Sequence, residues 1–180
     1  MTAFASRLVT VFAAGLPCLL AANTAAWIPA HRFAVDYGLV TGGSLASLAA
    51  LDGDRLVVSR YQVPNLSVAP VTFRIQSNLP FVPTAFTFLV TAQATRRGPY
   101  VLLLDLFDWA QSRYEPFSLT QVPLEVTAVT LPCPAPPPIH RFVRSSDRLV
   151  VGRIRVRATA PVALFSWSVE FDRAGFDALR

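Results

Sequence analysis

Arg153, Arg155 and Arg157 recur at every second residue, the spacing that sets consecutive β-strand side chains on one face. Three guanidinium groups in line would dock an anionic glycan, a cell-wall phosphate polymer or an acidic protein surface, because each fork matches the oxygens of a carboxylate or phosphate. The same three would also pair across a sheet with Glu170 and Asp172, which fall on the polar side of the following strand. Trp109 and Tyr114 flank the polar stretch Gln111-Ser112-Arg113. At the rim of a β-sandwich such rings either stack on sugars or close the end of the core.

Catalytic chemistry is thinly represented. His31 and His140 are each followed by Arg, and neither stands in metal-ligand spacing or beside a nucleophile elbow. Asp105 and Asp108 are conceivable as the two carboxylates of a glycosidase, although no sequence feature aims them at a substrate. A non-enzyme is therefore expected, with a secreted hydrolase as the remote alternative. Asp52-Gly53-Asp54 would lend two carboxylates to a calcium ion but reads better as an Asp-Gly turn, so no cofactor is expected. Cys133 is the one thiol after residue 26. It is open to two readings, a surface thiol for an intermolecular disulfide or a free buried one.

The elements that must position these residues are strands. Val71, Phe73 and Ile75 alternate with Thr72, Arg74 and Gln76, and Ala163, Phe165, Trp167, Val169 and Phe171 alternate with largely polar partners. Tyr100 to Phe107 is apolar at nearly every position, the mark of a strand covered on both faces. Further strands are expected at about 32–41, 54–60, 84–94, 114–119, 123–131 and 148–158, with turn chemistry at Asp52-Gly53-Asp54, Arg97-Gly98-Pro99 and Ser145-Ser146-Asp147. The parity of the apolar positions changes at Gly152, which predicts a β-bulge there. The run Leu131-Pro132-Cys133-Pro134-Ala135-Pro136-Pro137-Pro138 predicts a stiff polyproline crossover between sheets, with a site for proline-binding modules as the alternative. The fold class is thus all-β: a single antiparallel β-sandwich, jelly-roll-like, of about 8–10 strands.

Residues 1–26 have the layout of a signal peptide: Arg7, an apolar run from Leu8 to Ala22, and small residues ending at Ala25-Ala26. The run is shorter than the ~20 residues a spanning helix needs. The expected domains are a signal peptide at 1–26 and a β-sandwich at 27–180, secreted or at the cell surface, with no membrane span after cleavage. All 16 basic residues of the 180 are Arg, the formal charge is only +5, and no basic run exceeds Arg96-Arg97, so a nucleic-acid partner is not expected.

The segments Gly42-Gly43-Ser44-Leu45, Asp52-Gly53-Asp54 and Asp108-Trp109, followed by Tyr114, stand in an order that resembles uncharacterised β-sandwich modules of secreted bacterial proteins. In those modules the strand end usually reads Asn-Trp, where this chain has Asp108. The resemblance implies an extracellular, non-enzymatic module with no known substrate. The leading expectation is a non-catalytic structural or adhesive role. The alternative is a carbohydrate-binding module for a neutral or anionic glycan, carried by Trp109, Tyr114 and the arginine face.

Overall fold

The computed structural model describes residues 25–62, 68–116, 122–159 and 166–180. The expected signal peptide lies outside them except for its last two residues. Twelve strands follow one another: β1 (Ala26–Pro29), β2 (Arg32–Tyr37), β3 (Leu39–Gly42), β4 (Leu56–Ser59), β5 (Val71–Asn78) and β6 (Ala85–Ala94). The second half holds β7 (Tyr100–Asp108), β8 (Arg113–Pro116), β9 (Val122–Leu124), β10 (Val129–Pro134), β11 (Leu149–Ala158) and β12 (Ser168–Leu179). They form two antiparallel sheets. Sheet I runs β10-β6-β12-β4-β3, with β1 also on β12; sheet II runs β2-β5-β11-β7-β8, with β9 also on β7. The all-β sandwich is as the alternation of apolar residues requires, with twelve strands in place of eight to ten.

The core lies between the sheets because each strand turns one set of alternate side chains inward. Phe73 of sheet II meets Phe171 of sheet I edge to face at 4.7 Å, and Tyr100 of sheet II packs on Trp167 at 4.6 Å. Phe88 stacks on Phe176 at 5.2 Å. All of these except Tyr100 and Trp167 are fully excluded from solvent, and those two are at most 3% exposed.

Four local expectations are corrected. The strand expected at 32–41 is two strands in different sheets, because the chain crosses at Gly38, whose φ of 117° an L side chain rarely adopts. Gly152 is no bulge: it pairs in unbroken register with Ile75 on one side and Leu106 on the other. Its role is close approach, since a Cβ there would lie 2.6 Å from the Phe88 ring. Register shifts fall instead between Val35 and Tyr37, between Val40 and Gly42, and between Phe171 and Arg173. Beyond the last of these β12 continues to Leu179, well past the expected end at 171, with Ala174, Phe176 and Ala178 turned inward.

The proline-rich run is the fourth. Its first part is β10, an edge strand in which Pro132 pairs with Leu89 and Pro134 with Thr87. An edge tolerates proline because one side of the strand has no ladder to donate to. Alternation then turns Cys133 inward, 3% exposed and free, with no route to an intermolecular disulfide. Burial pushes its thiol up to about 12, with Asp105 adding to the shift.

Candidate functional site

The outward face of sheet II collects the polar positions of its strands into rows. Gln76 lies between Arg32 and Val151; Arg74 lies between Ala34 and Arg153; Thr72 lies between Tyr37 and Arg155. On the far side of β11, Arg153 faces Asp105, Arg155 faces Leu103 and Arg157 faces Val101. The expected arginine face therefore exists, and it sits mid-sheet.

Its pairing differs from expectation. Glu170 and Asp172 belong to sheet I, where Glu170 accepts from Arg55 and Gln93 at 2.7 Å each and Asp172 accepts from the Gly53 amide. They cannot meet β11, because β11 and β12 are in opposite layers. The partner is Asp105, fully buried, whose Oδ2 accepts from Arg153 Nε at 2.7 Å and whose Oδ1 accepts from Arg155 at 2.6 Å. Asp36 pairs with Arg74 at 2.6 Å. Arg157 makes no ion pair with any described residue, and the Nε donors of Arg74, Arg155 and Arg157 are buried without an acceptor.

The aromatic residues form one row beside the arginines. Phe107 contacts Trp109 at 4.8 Å and Tyr114 at 5.1 Å, both edge to face. Arg153 covers the Tyr114 ring at 4.0 Å, and the Arg74 charge acts on its hydroxyl. Burial pushes that hydroxyl up, so it stays a neutral phenol. Tyr114 is thus enclosed, not a free stacking surface. Trp109 donates through its indole N–H to the Leu149 carbonyl at 3.1 Å, while Arg144 lies over its ring at 4.7 Å.

Trp109 forms one wall of a cavity of about 480 Å³ on this face. Leu149, Val151, Gln76 and Asn78 also line it, together with His31, Arg32, Arg144 and Asp147. Burial, and then the Arg32 charge, hold His31 below its ordinary value, so at neutral pH it offers one donor and one acceptor. Arg144 holds the Asp147 carboxyl at about 2, helped by the Leu149 amide, and both Asp147 oxygens accept from Arg144. Donors and acceptors of both kinds thus surround a space bounded by an indole and two aliphatic side chains, a combination suited to a ligand with hydroxyls on an apolar ring. Apart from Trp109, sequence reasoning missed this cavity. The alternation in β5 marked Gln76 as an outward polar residue, but only the sheet order brings it beside Arg32 and Val151.

The carboxylates proposed for catalysis are engaged elsewhere. Both oxygens of Asp105 are held by arginines, and Asp108, also fully buried, accepts from the amides of Ala110 and Gln111 and from Arg141. Two acids so fixed in internal hydrogen bonds are not presented to a substrate. In the Asp52-Gly53-Asp54 segment, Asp52 caps the Asp54 amide and Asp54 accepts from Ser47, the geometry of a turn. Among the described residues no group of three or more His, Cys, Asp or Glu side chains is placed to hold a metal ion. His140, in the 3₁₀ turn Ile139–Phe142, lines a second, smaller cavity with Val82, Pro83 and Val143.

No protein-family model matches the chain, and no curated protein does. Solved structures similar to it include a xylan-binding family 22 carbohydrate-binding domain from Paenibacillus barcinonensis. That domain is 10% identical with a TM-score of 0.47, the match covering 87% of this chain and 85% of that one. The C-terminal family 22 carbohydrate-binding module of a Clostridium thermocellum xylanase is 15% identical, with coverage of 87% and 96% and a TM-score of 0.47. A family 61 module solved with β-1,4-galactotriose is 9% identical, with coverage of 82% and 87% and a TM-score of 0.44. These neighbours are carbohydrate-binding modules, and the leading expectation of a structural or adhesive role is not carried further. No helix among the described residues is long and apolar enough to cross a membrane.

Proposed function

We propose that this chain is an exported glycan-binding module whose ligand lies along the outward face of sheet II. The observation that carries the reading is the cavity of about 480 Å³, in which the Trp109 wall stands beside the amides of Gln76 and Asn78 and neutral His31. Sugar rings present apolar faces and hydroxyl edges, and such a lining answers both. Trp109 and the arginines keep their place in the proposed site, Tyr114 becomes a support beneath Arg153, and Gln76 and Asn78 join as direct contacts. Export is supported by the three-part pattern of residues 1–26.

The test is a glycan array spanning neutral and acidic polysaccharides, followed by calorimetry on the best binder. Gln76→Ala and Asn78→Ala should each weaken binding by about tenfold, the equivalent of ~1.4 kcal/mol, without altering the fold. An array with no binder, or binding indifferent to both substitutions, refutes the proposal.

A further inference from the structure

The charges of this face define the ligand more narrowly. Besides the Arg144–Asp147 pair at the cavity, five arginines, Arg32, Arg74, Arg153, Arg155 and Arg157, share it with two carboxylates, Asp36 and Asp105. Asp105 holds Arg153 and Arg155 together, and Asp36 holds Arg74. That leaves a positive surplus spread along the face, from Arg32 at the Trp109 cavity through the Arg153–Asp105–Arg155 group to Arg157 at the far end of β11. The buried, unaccepted Nε groups of Arg74, Arg155 and Arg157 lie on the same face.

From Leu149, beside the cavity, to Arg157 the strand runs about 27 Å at ~3.4 Å per residue. A ligand engaging both ends is a polymer and not a single sugar. We infer that it is an acidic polysaccharide, its carboxylate or sulfate groups taken by Arg155 and Arg157 and a neutral ring edge seated in the Trp109 cavity. This rests on the glycan-binding reading above. A nucleic acid would bring the same negative charge, so an oligonucleotide stands among the competitors.

The experiment compares oligogalacturonate with its fully methyl-esterified form, which keeps the sugar chain and loses the charge. Heparin oligosaccharide serves as the sulfate-bearing arm and a single-stranded oligonucleotide of matched charge as the competitor. Affinity for oligogalacturonate or heparin should exceed that for the ester and fall steeply as salt rises from ~0.01 M to ~1 M, where the screening length shrinks from ~30 Å to ~3 Å. Arg157→Gln should cost the preferred acidic ligand about tenfold and leave the ester unaffected. Arg173→Gln, which removes the same charge from sheet I, should change neither. Should Arg157→Gln fail to fold, Arg157→Lys replaces it, keeping the charge while losing the fork, with a several-fold weakening expected.

Equal affinity for acid and ester overturns the inference while leaving glycan binding intact. Equal loss from Arg157→Gln and Arg173→Gln also overturns it, since the effect would then be one of net charge. Tighter binding of the oligonucleotide than of either acidic glycan overturns it in favour of a general polyanion site. If no sugar polymer binds, charged or esterified, the glycan reading itself fails.

Discussion

Asp105→Asn removes one formal charge from the sheet II face while leaving the side-chain shape unchanged. The wild-type carboxylate is fully buried and accepts from Arg153 at 2.7 Å and from Arg155 at 2.6 Å. Asparagine can satisfy one of these donors, but its amide group turns a second donor toward the other guanidinium. Breaking a buried ion pair by removing one partner costs about 3–5 kcal/mol, because the charge left behind is uncompensated. Here both arginines retain access to water, with side chains 26% and 30% exposed, so part of their hydration returns. The loss should fall near the lower end, at about 3 kcal/mol, which for a chain of this size lowers Tm by roughly 6–12 °C. Urea unfolding of wild type and variant measures it directly. A triple variant, Asp105→Leu with Arg153→Met and Arg155→Met, removes the charges together and should recover most of the stability. A loss below about 1 kcal/mol in Asp105→Asn, or a triple variant less stable than the single one, would refute the assignment of Asp105 as the anchor of this face.

Three further outcomes follow from the packing and the local electrostatics. Gly152→Ala should destabilise by about 1–3 kcal/mol through overpacking against Phe88, and Phe88→Leu should offset part of that loss in the double variant; additive losses in thermal unfolding would deny the contact. The Cys133 thiol, buried and pushed up to about 12, should resist a disulfide reagent at neutral pH in the native protein and react at once in denaturant, and non-reducing electrophoresis should show no dimer. Asp147 should titrate at about 2 by NMR, and Arg144→Gln should return it toward the ordinary carboxylate value. Because its folded value is depressed, whatever stability Asp147 contributes is present above the ordinary carboxylate pKa and disappears as pH falls through about 2.

The pattern of apolar residues identified the long strands β5, β6, β7 and β11, but not β1, and the strand expected at about 123–131 is instead β9 and β10, in different sheets. In β5 and β11 it correctly separated inward residues such as Phe73 and Ile154 from outward ones such as Arg74 and Arg155, because alternation is a property of the strand itself. Where the pattern misled, a neighbour was responsible. The parity change at Gly152 suggests a bulge only until Phe88 of the other sheet is seen to occupy the space where a Cβ would lie. The prolines around Cys133 argue against a ladder only for a strand paired on both sides, and β10 is an edge.

What the sequence determined by itself is therefore local: an all-β chain, an arginine at every second position from 153 to 157, and an aromatic pair flanking a polar loop. The partners of those residues were decided by tertiary structure. Glu170 and Asp172 are nearer to the arginines along the chain than Asp105 is, yet layer assignment sends them to sheet I and seats Asp105 opposite Arg153. The cavity is likewise assembled from β2, β5, β11 and the turn after β7. Strand order is set by how whole sheets bury their apolar faces, a global balance that no short run of residues encodes, and so the site became visible only once the sheets were in place.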